Sequence, residues 1–162
     1  MVDKEARQRK RYVLSITKDK LIIMTTETYA FIIKDGHFES LLYALNFASI
    51  AAVSKKKVRM LIVGWAASKL IKGNLEKIDL PASLDEQKNA FIEQIKKHKS
   101  GDLQELLRLV KSAGDVKIFV CTLAASIWNV TRENMLPEVD DIIGSPNFLL
   151  QEAKDAAQVW TF

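Results

Sequence analysis

Between Tyr29 and Val63 the hydrophobic spacing changes period twice. Tyr29-Ala30-Phe31-Ile32-Ile33 is a continuous apolar run of strand length. It stops at Lys34-Asp35-Gly36, where Gly supplies the backbone freedom of a turn. From His37 to about Ser54, the residues Phe38, Leu41, Leu42, Leu45, Ala48, Ser49 and Ala52 recur at three- and four-residue spacing. That is one apolar face of an amphipathic helix. Small residues in its second half permit close approach to a sheet, and Lys55-Lys56-Lys57 suits the negative end of the helix dipole. Residues 58–63, apolar apart from Arg59, read as a second strand, closed by Gly64 and Trp65. Strand, helix and strand in this order are the pattern of a right-handed parallel crossover, so an α/β fold is expected.

A third strand follows at residues 116–120, rich in β-branched and aromatic types, and residues 122–128 suit a helix. The only cysteine, Cys121, falls between them, at the carboxyl end of a strand where parallel sheets collect reactive groups. Unpaired backbone N–H groups and a partial positive charge at the helix start favour thiolate, the nucleophilic form. A lone cysteine after a hydrophobic strand is also an ordinary small buried hydrophobe, so both readings stand.

Elsewhere the pattern is mixed. Residues 12–17 and 21–25 read as two short strands, an N-terminal strand or hairpin extension of the domain. A short helix is expected over 66–72. Ser83 with Glu86, and Asp102 with Glu105, resemble capping boxes of two further helices. Gly144-Ser145-Pro146 reads as a helix start, with Ser145 as cap and Pro146 in the first turn. Phe148, Leu149, Ala153 and Ala156 would form that helix's buried face, and residues 159–162 a last strand.

At 162 residues the chain suits one domain with a sizeable core, residues 12–162, of which 12–26 are added strands and 27–162 the core. The net charge of +4 is unevenly placed. Residues 1–11 carry five cations (Lys4, Arg7, Arg9, Lys10, Arg11) against two acids, which leaves the rest nearly neutral. The arm reads as a solvated, disordered terminus, and a nucleic-acid footprint on the body is not supported. No apolar run spans a bilayer, the first residues lack a secretory core, and a single cysteine makes no internal disulfide. A cytoplasmic protein without membrane association is expected.

Glycine-rich nucleotide loops are missing, and two histidines with one cysteine are too few for a structural zinc site, so no metal or cofactor is expected. Asp140-Asp141 reads as a solvated turn rather than a catalytic pair. If the strands are parallel, the turns after them share one sheet edge. These turns bring Asp35, Gly36 and His37, Gly64 and Trp65, Cys121 and Thr122, and Gly144 and Ser145 to that edge. His37 is then a candidate to assist the thiol, with a partly exposed first-turn histidine as the competing reading. Trp65 and Trp128 are candidate pocket walls, or else pack the core or a subunit contact.

Four segments carry a family resemblance: I-I-K-D-G before a helix with small residues, V-R-M-L-I-V-G-W, V-K-I-F-V-C-T-L-A-A-S-I-W-N-V-T-R-E-N-M-L, and F-L-L-Q-E-A-K-D-A-A-Q-V-W-T-F. Over residues 29–162 the chain resembles the DsrE/DsrF-like (DsrEFH) proteins, in particular the peroxiredoxin-like or sulfurtransferase branch. The resemblance implies a three-layer α/β/α sandwich with a mainly parallel five-stranded sheet. It also implies a cysteine that accepts sulfane sulfur as a persulfide, and homo-oligomeric assembly. Its partners would be sulfur donor and acceptor proteins or small sulfane compounds. Only Cys121 matches as a functional residue. The helix after it departs from the branch, with Ala124-Ala125 and Trp128-Asn129-Val130 where methionines and a glycine are usual. A non-catalytic homo-oligomeric binding or scaffold protein with a structural cysteine is the alternative.

Overall fold

The computed structural model describes residues 27–98 and 101–162. The basic arm of residues 1–11 and the strands expected at 12–17 and 21–25 lie outside the described residues.

Five strands form one sheet in the order β4-β3-β2-β1-β5: β1 (Thr28–Ile33), β2 (Lys57–Ile62), β3 (Val116–Cys121), β4 (Asp141–Ile143) and β5 (Ala156–Thr161). Every pairing is parallel. The three central strands read as mostly apolar runs because both of their faces are largely covered; the breaks are Arg59 and Lys117, which both pair with Glu152. The edge strand β5 is largely exposed by contrast. The crossover expected between the first two strands is present, with α1 (Phe38–Val53) between β1 and β2. Between β2 and β3 the chain forms α2 (Lys88–His98) and α3 (Leu103–Ser112), and α4 (Thr122–Trp128) follows β3 directly. After β4 comes a single turn, α5 (Ser145–Asn147), which runs into a π turn at Phe148–Glu152.

Register divides the sheet into two faces. Phe31, Met60, Ile118 and Trp160 stand in register on one of them. There α1 and α3 pack on the strands and on each other. Leu61 and Phe119 stand on the opposite face. The π turn covers that face, with Phe148 meeting Phe119 edge-on at 6.2 Å and Glu152 pairing with Arg59 and Lys117. The architecture is an α/β/α sandwich. Phe31, Phe38, Met60, Ile118 and Phe148 are closed to solvent, and each such side chain contributes about 1.5–3 kcal/mol by leaving water.

Several local expectations are corrected. The helix expected over 66–72 is a 3₁₀ helix at Gly64–Leu70. Ser83 makes no capping box, because Ala82–Gln87 is itself 3₁₀ and begins at Pro81 without a side-chain cap. The Asp102 box does form in part: its carboxylate accepts the Glu105 N–H at 2.8 Å. Gly144, not Ser145, is the cap of α5. Beyond it the Ala153 N–H reaches back five residues to the Phe148 carbonyl. That wider pitch keeps Phe148 and Ala153 buried but turns Leu149 outward, and Ala156 opens β5 instead of ending a helix. The sequence reading also passed over Lys69. Buried to 3% exposure, its Nζ donates to the Lys77 carbonyl and pairs with Asp79, whose carbonyl accepts the N–H of Phe38 at the start of α1.

Candidate active site

Cys121 ends β3 in extended geometry, and the next residue enters α4. The parallel register sets Cys121 beside Ile143 of β4. Two residues further on, Ser145 comes alongside, and its Oγ lies 3.2 Å from Cys121 Sγ. Burial by itself pushes the thiol pKa up. The Ser145 hydroxyl and the backbone N–H groups of Ala124, Leu123 and Ser145 outweigh burial, so the thiol titrates below its ordinary 9.0. The sulfur is recessed, with Cys121 only 7% exposed. Thr122 is exposed at the start of α4, and Trp128 is half-exposed at its end. Asn129 terminates α4 in the left-handed region.

A second cluster sits at the end of β1. The Asp35 carboxylate accepts the His37 backbone N–H and the Ser40 hydroxyl, both at 2.9 Å. His37 Nδ1 lies 2.6 Å from Asp35 Oδ1, yet off the line of a formed hydrogen bond. The imidazole meets Trp65 edge-on at 4.9 Å. Gly36 faces the same indole so closely that a Cβ there would lie 2.9 Å from Cζ3. Gly64 turns the chain after β2 with φ of +54°, a conformation that favours glycine.

The structure therefore brings the candidates together in two groups: Cys121 with Ser145, and Asp35, Gly36 and His37 with Trp65. Strand β2 separates β1 from β3. The polar partner of the sulfur is Ser145, and the neighbours of the imidazole are Asp35 and Trp65. The groups share the carboxyl edge of the sheet, and α4 packs against Gly64–Leu70 between them. Ser40 was missed, although Asp35 and a serine five residues on, across a helix start, were the available signal. The backbone donors Leu123 and Ala124 carry no side-chain signature at all.

Asp140 and Asp141 diverge. Asp140 pairs with Lys111 and accepts the Ile118 N–H, and Asp141 pairs with Arg132, so both hold structure. A surface cleft of about 620 Å³ is lined by Glu76, Ile78, Ile95, Asp102 and Arg108, and none of the residues around Cys121 lines it. Among the described residues no group of three or more ligating side chains could hold a metal ion, and no helix is long and apolar enough to cross a membrane.

Comparison with curated proteins gives no significant match. A model of the DsrE/DsrF-like family matches residues 27–162, which include all five strands and Cys121. The chain belongs to the DsrE/DsrF-like family, which is generally associated with sulfur relay.

Proposed function

We propose that the protein is a sulfur carrier or sulfurtransferase that relays sulfane sulfur as a persulfide on Cys121. The observation that carries this is the recessed Cys121 sulfur at the carboxyl end of β3, held among hydrogen-bond donors from two separate segments. The Cys121 thiolate attacks the outer sulfur of a donor R–S–SH; an S–S bond forms and the donor leaves as its thiolate. An acceptor thiolate then attacks the outer sulfur of Cys121–S–SH, forms R′–S–SH and releases the Cys121 thiolate. The sulfur atom moves with no net oxidation, so one cysteine suffices.

The test is to expose the native protein to polysulfide and record its intact mass with and without reductant. A reducible gain of one sulfur atom, absent in Cys121→Ala, is expected. No reducible adduct on the wild type would overturn the reading. A second reading, a binding or scaffold protein with a structural cysteine, is favoured by the low exposure of Cys121. It predicts a thiol that resists iodoacetamide until unfolding. The partners we propose are a sulfane donor, an acceptor thiol and further copies of the same chain.

A further inference from the structure

We propose that Ser145 is a positioning residue that makes Cys121 a good leaving group, so that bound sulfur is released to the acceptor. This rests on the sulfur-carrier reading. It begins from what Ser145 does not do. Serine at a helix start ordinarily gives its hydroxyl to the free backbone N–H groups of the first turn. Here Gly144 takes the cap position and no side chain caps the helix. Ser145 is already the first helical residue, and its hydroxyl faces the Cys121 sulfur at 3.2 Å, across 24 residues of sequence.

Core packing sets the placement. One turn after Ser145, Phe148 is fully buried, and its ring packs on Phe119, two residues before Cys121 and on the same face of the sheet. The Phe148 N–H closes the turn onto the Gly144 carbonyl at 3.0 Å. Core packing thus ties the hydroxyl to the strand that carries the sulfur. The charged groups on the neighbouring elements are engaged elsewhere. Asp141 pairs with Arg132, and Glu152 pairs with Arg59 and Lys117. Among the described residues a hydroxyl, not a cation, is the side-chain partner of the sulfur.

The chemical consequence follows from where the charge sits. In the thiolate the negative charge is on Sγ, where the Ser145 hydroxyl donates to it. In the persulfide anion the charge moves one atom outward and Sγ becomes neutral, so that bond weakens. Ser145 therefore favours the unloaded thiolate. When an acceptor thiolate attacks the outer sulfur, the S–S electron pair returns to Sγ and the hydroxyl meets the charge as it develops. A thiol of lower pKa leaves faster, so the same contact that raises the thiolate fraction speeds discharge.

The experiment has two arms on the full chain. In the first, iodoacetamide alkylation of Cys121 is followed against pH with no sulfur donor present. In Ser145→Ala the neutral-pH rate should fall roughly two- to threefold while the alkaline plateau rises slightly, because the hydroxyl raises the thiolate fraction but also tempers the thiolate's nucleophilicity. Ser145→Thr should restore the profile. Ser145→Gly repeats the measurement on a second hydroxyl-free background, in case Ser145→Ala does not fold. In the second arm, polysulfide-loaded protein is mixed with a small acceptor thiol. Discharge from Ser145→Ala should slow by a similar factor. Superimposable alkylation profiles, a threonine variant that fails to restore them, or equal discharge rates would each overturn the proposal. Failure of wild type to load sulfur would overturn the sulfur-carrier reading instead, and the first arm distinguishes the two.

Discussion

Two residues beside the site show what side-chain placement contributes. Gly36 lies against the Trp65 indole, and a Cβ would come within 3.1 Å of three ring atoms. Gly36→Ala must therefore shift the indole that His37 packs against, and overpacking of this kind costs about 1–3 kcal/mol. The expected result is a lower thermal midpoint with altered tryptophan fluorescence; an unchanged midpoint would show that the ring yields freely. Asp35 gives a pH prediction. Burial pushes its carboxyl up, but the His37 N–H, the Ser40 hydroxyl and the neighbouring imidazole together bring it below its ordinary 3.8. A carboxylate depressed on folding stabilises the protein fully above its unfolded value, and the contribution is lost as pH falls through the folded value. The stability gap between wild type and Asp35→Asn, read from urea midpoints, should hold from neutral pH to near 4 and shrink on further acidification. A gap constant through the acid limb would mean that Asp35 titrates alike in both states.

At the scale of elements, the sequence was legible where one local pattern had one physical outcome. Apolar runs bounded by turns became the central strands, three- and four-residue spacing became α1, and Asp102 became a cap. It was misleading where two local outcomes compete. Ser83-x-x-Glu86 matches a capping box, but the chain enters from Pro81 in 3₁₀ pitch and places Ser83 inside the turn. Ser145 stood next to a proline at a helix start, yet a glycine one residue earlier took the cap and left the hydroxyl for the sulfur. No spacing rule reveals that choice, because the partner comes from another strand. The same contrast gives a paired prediction. Asp102→Ala removes a formed cap and should cost about 1 kcal/mol in denaturant unfolding. Ser83→Ala removes an exposed hydroxyl that caps nothing and should stay within about 0.5 kcal/mol of wild type. Equal losses would show that cap geometry is not what separates the two sites.

At the scale of the whole molecule, the parallel order explains why the candidate site has an apolar border. Helix α4 leaves the end of β3 and the π turn follows the end of β4, so both flank Cys121. Both present large side chains outward: Leu123 and Ile127 from α4 are 69% and 67% exposed, and Leu150 from the π turn is 71% exposed. The π pitch adds Leu149 to the same border. A second exposed stripe, Tyr43, Phe47 and Ile50, runs along α1, which packs on the opposite face of the sheet. Apolar borders of this kind mark interaction surfaces, and closed symmetric pairing of identical chains is the commonest way to cover them. The proposed assembly therefore places a second copy over the α4 and π-turn leucines, where it also shields a persulfide on Cys121 from water. Light scattering at micromolar concentration should show an oligomer. Leu150→Asp should lower its mass and speed iodoacetamide labelling of Cys121, whereas Ile50→Asp should change neither. A monomeric wild type would remove the assembly. An oligomer that survives Leu150→Asp but falls apart with Ile50→Asp would move the contact to α1 and leave the Cys121 edge free for the sulfur donor and acceptor.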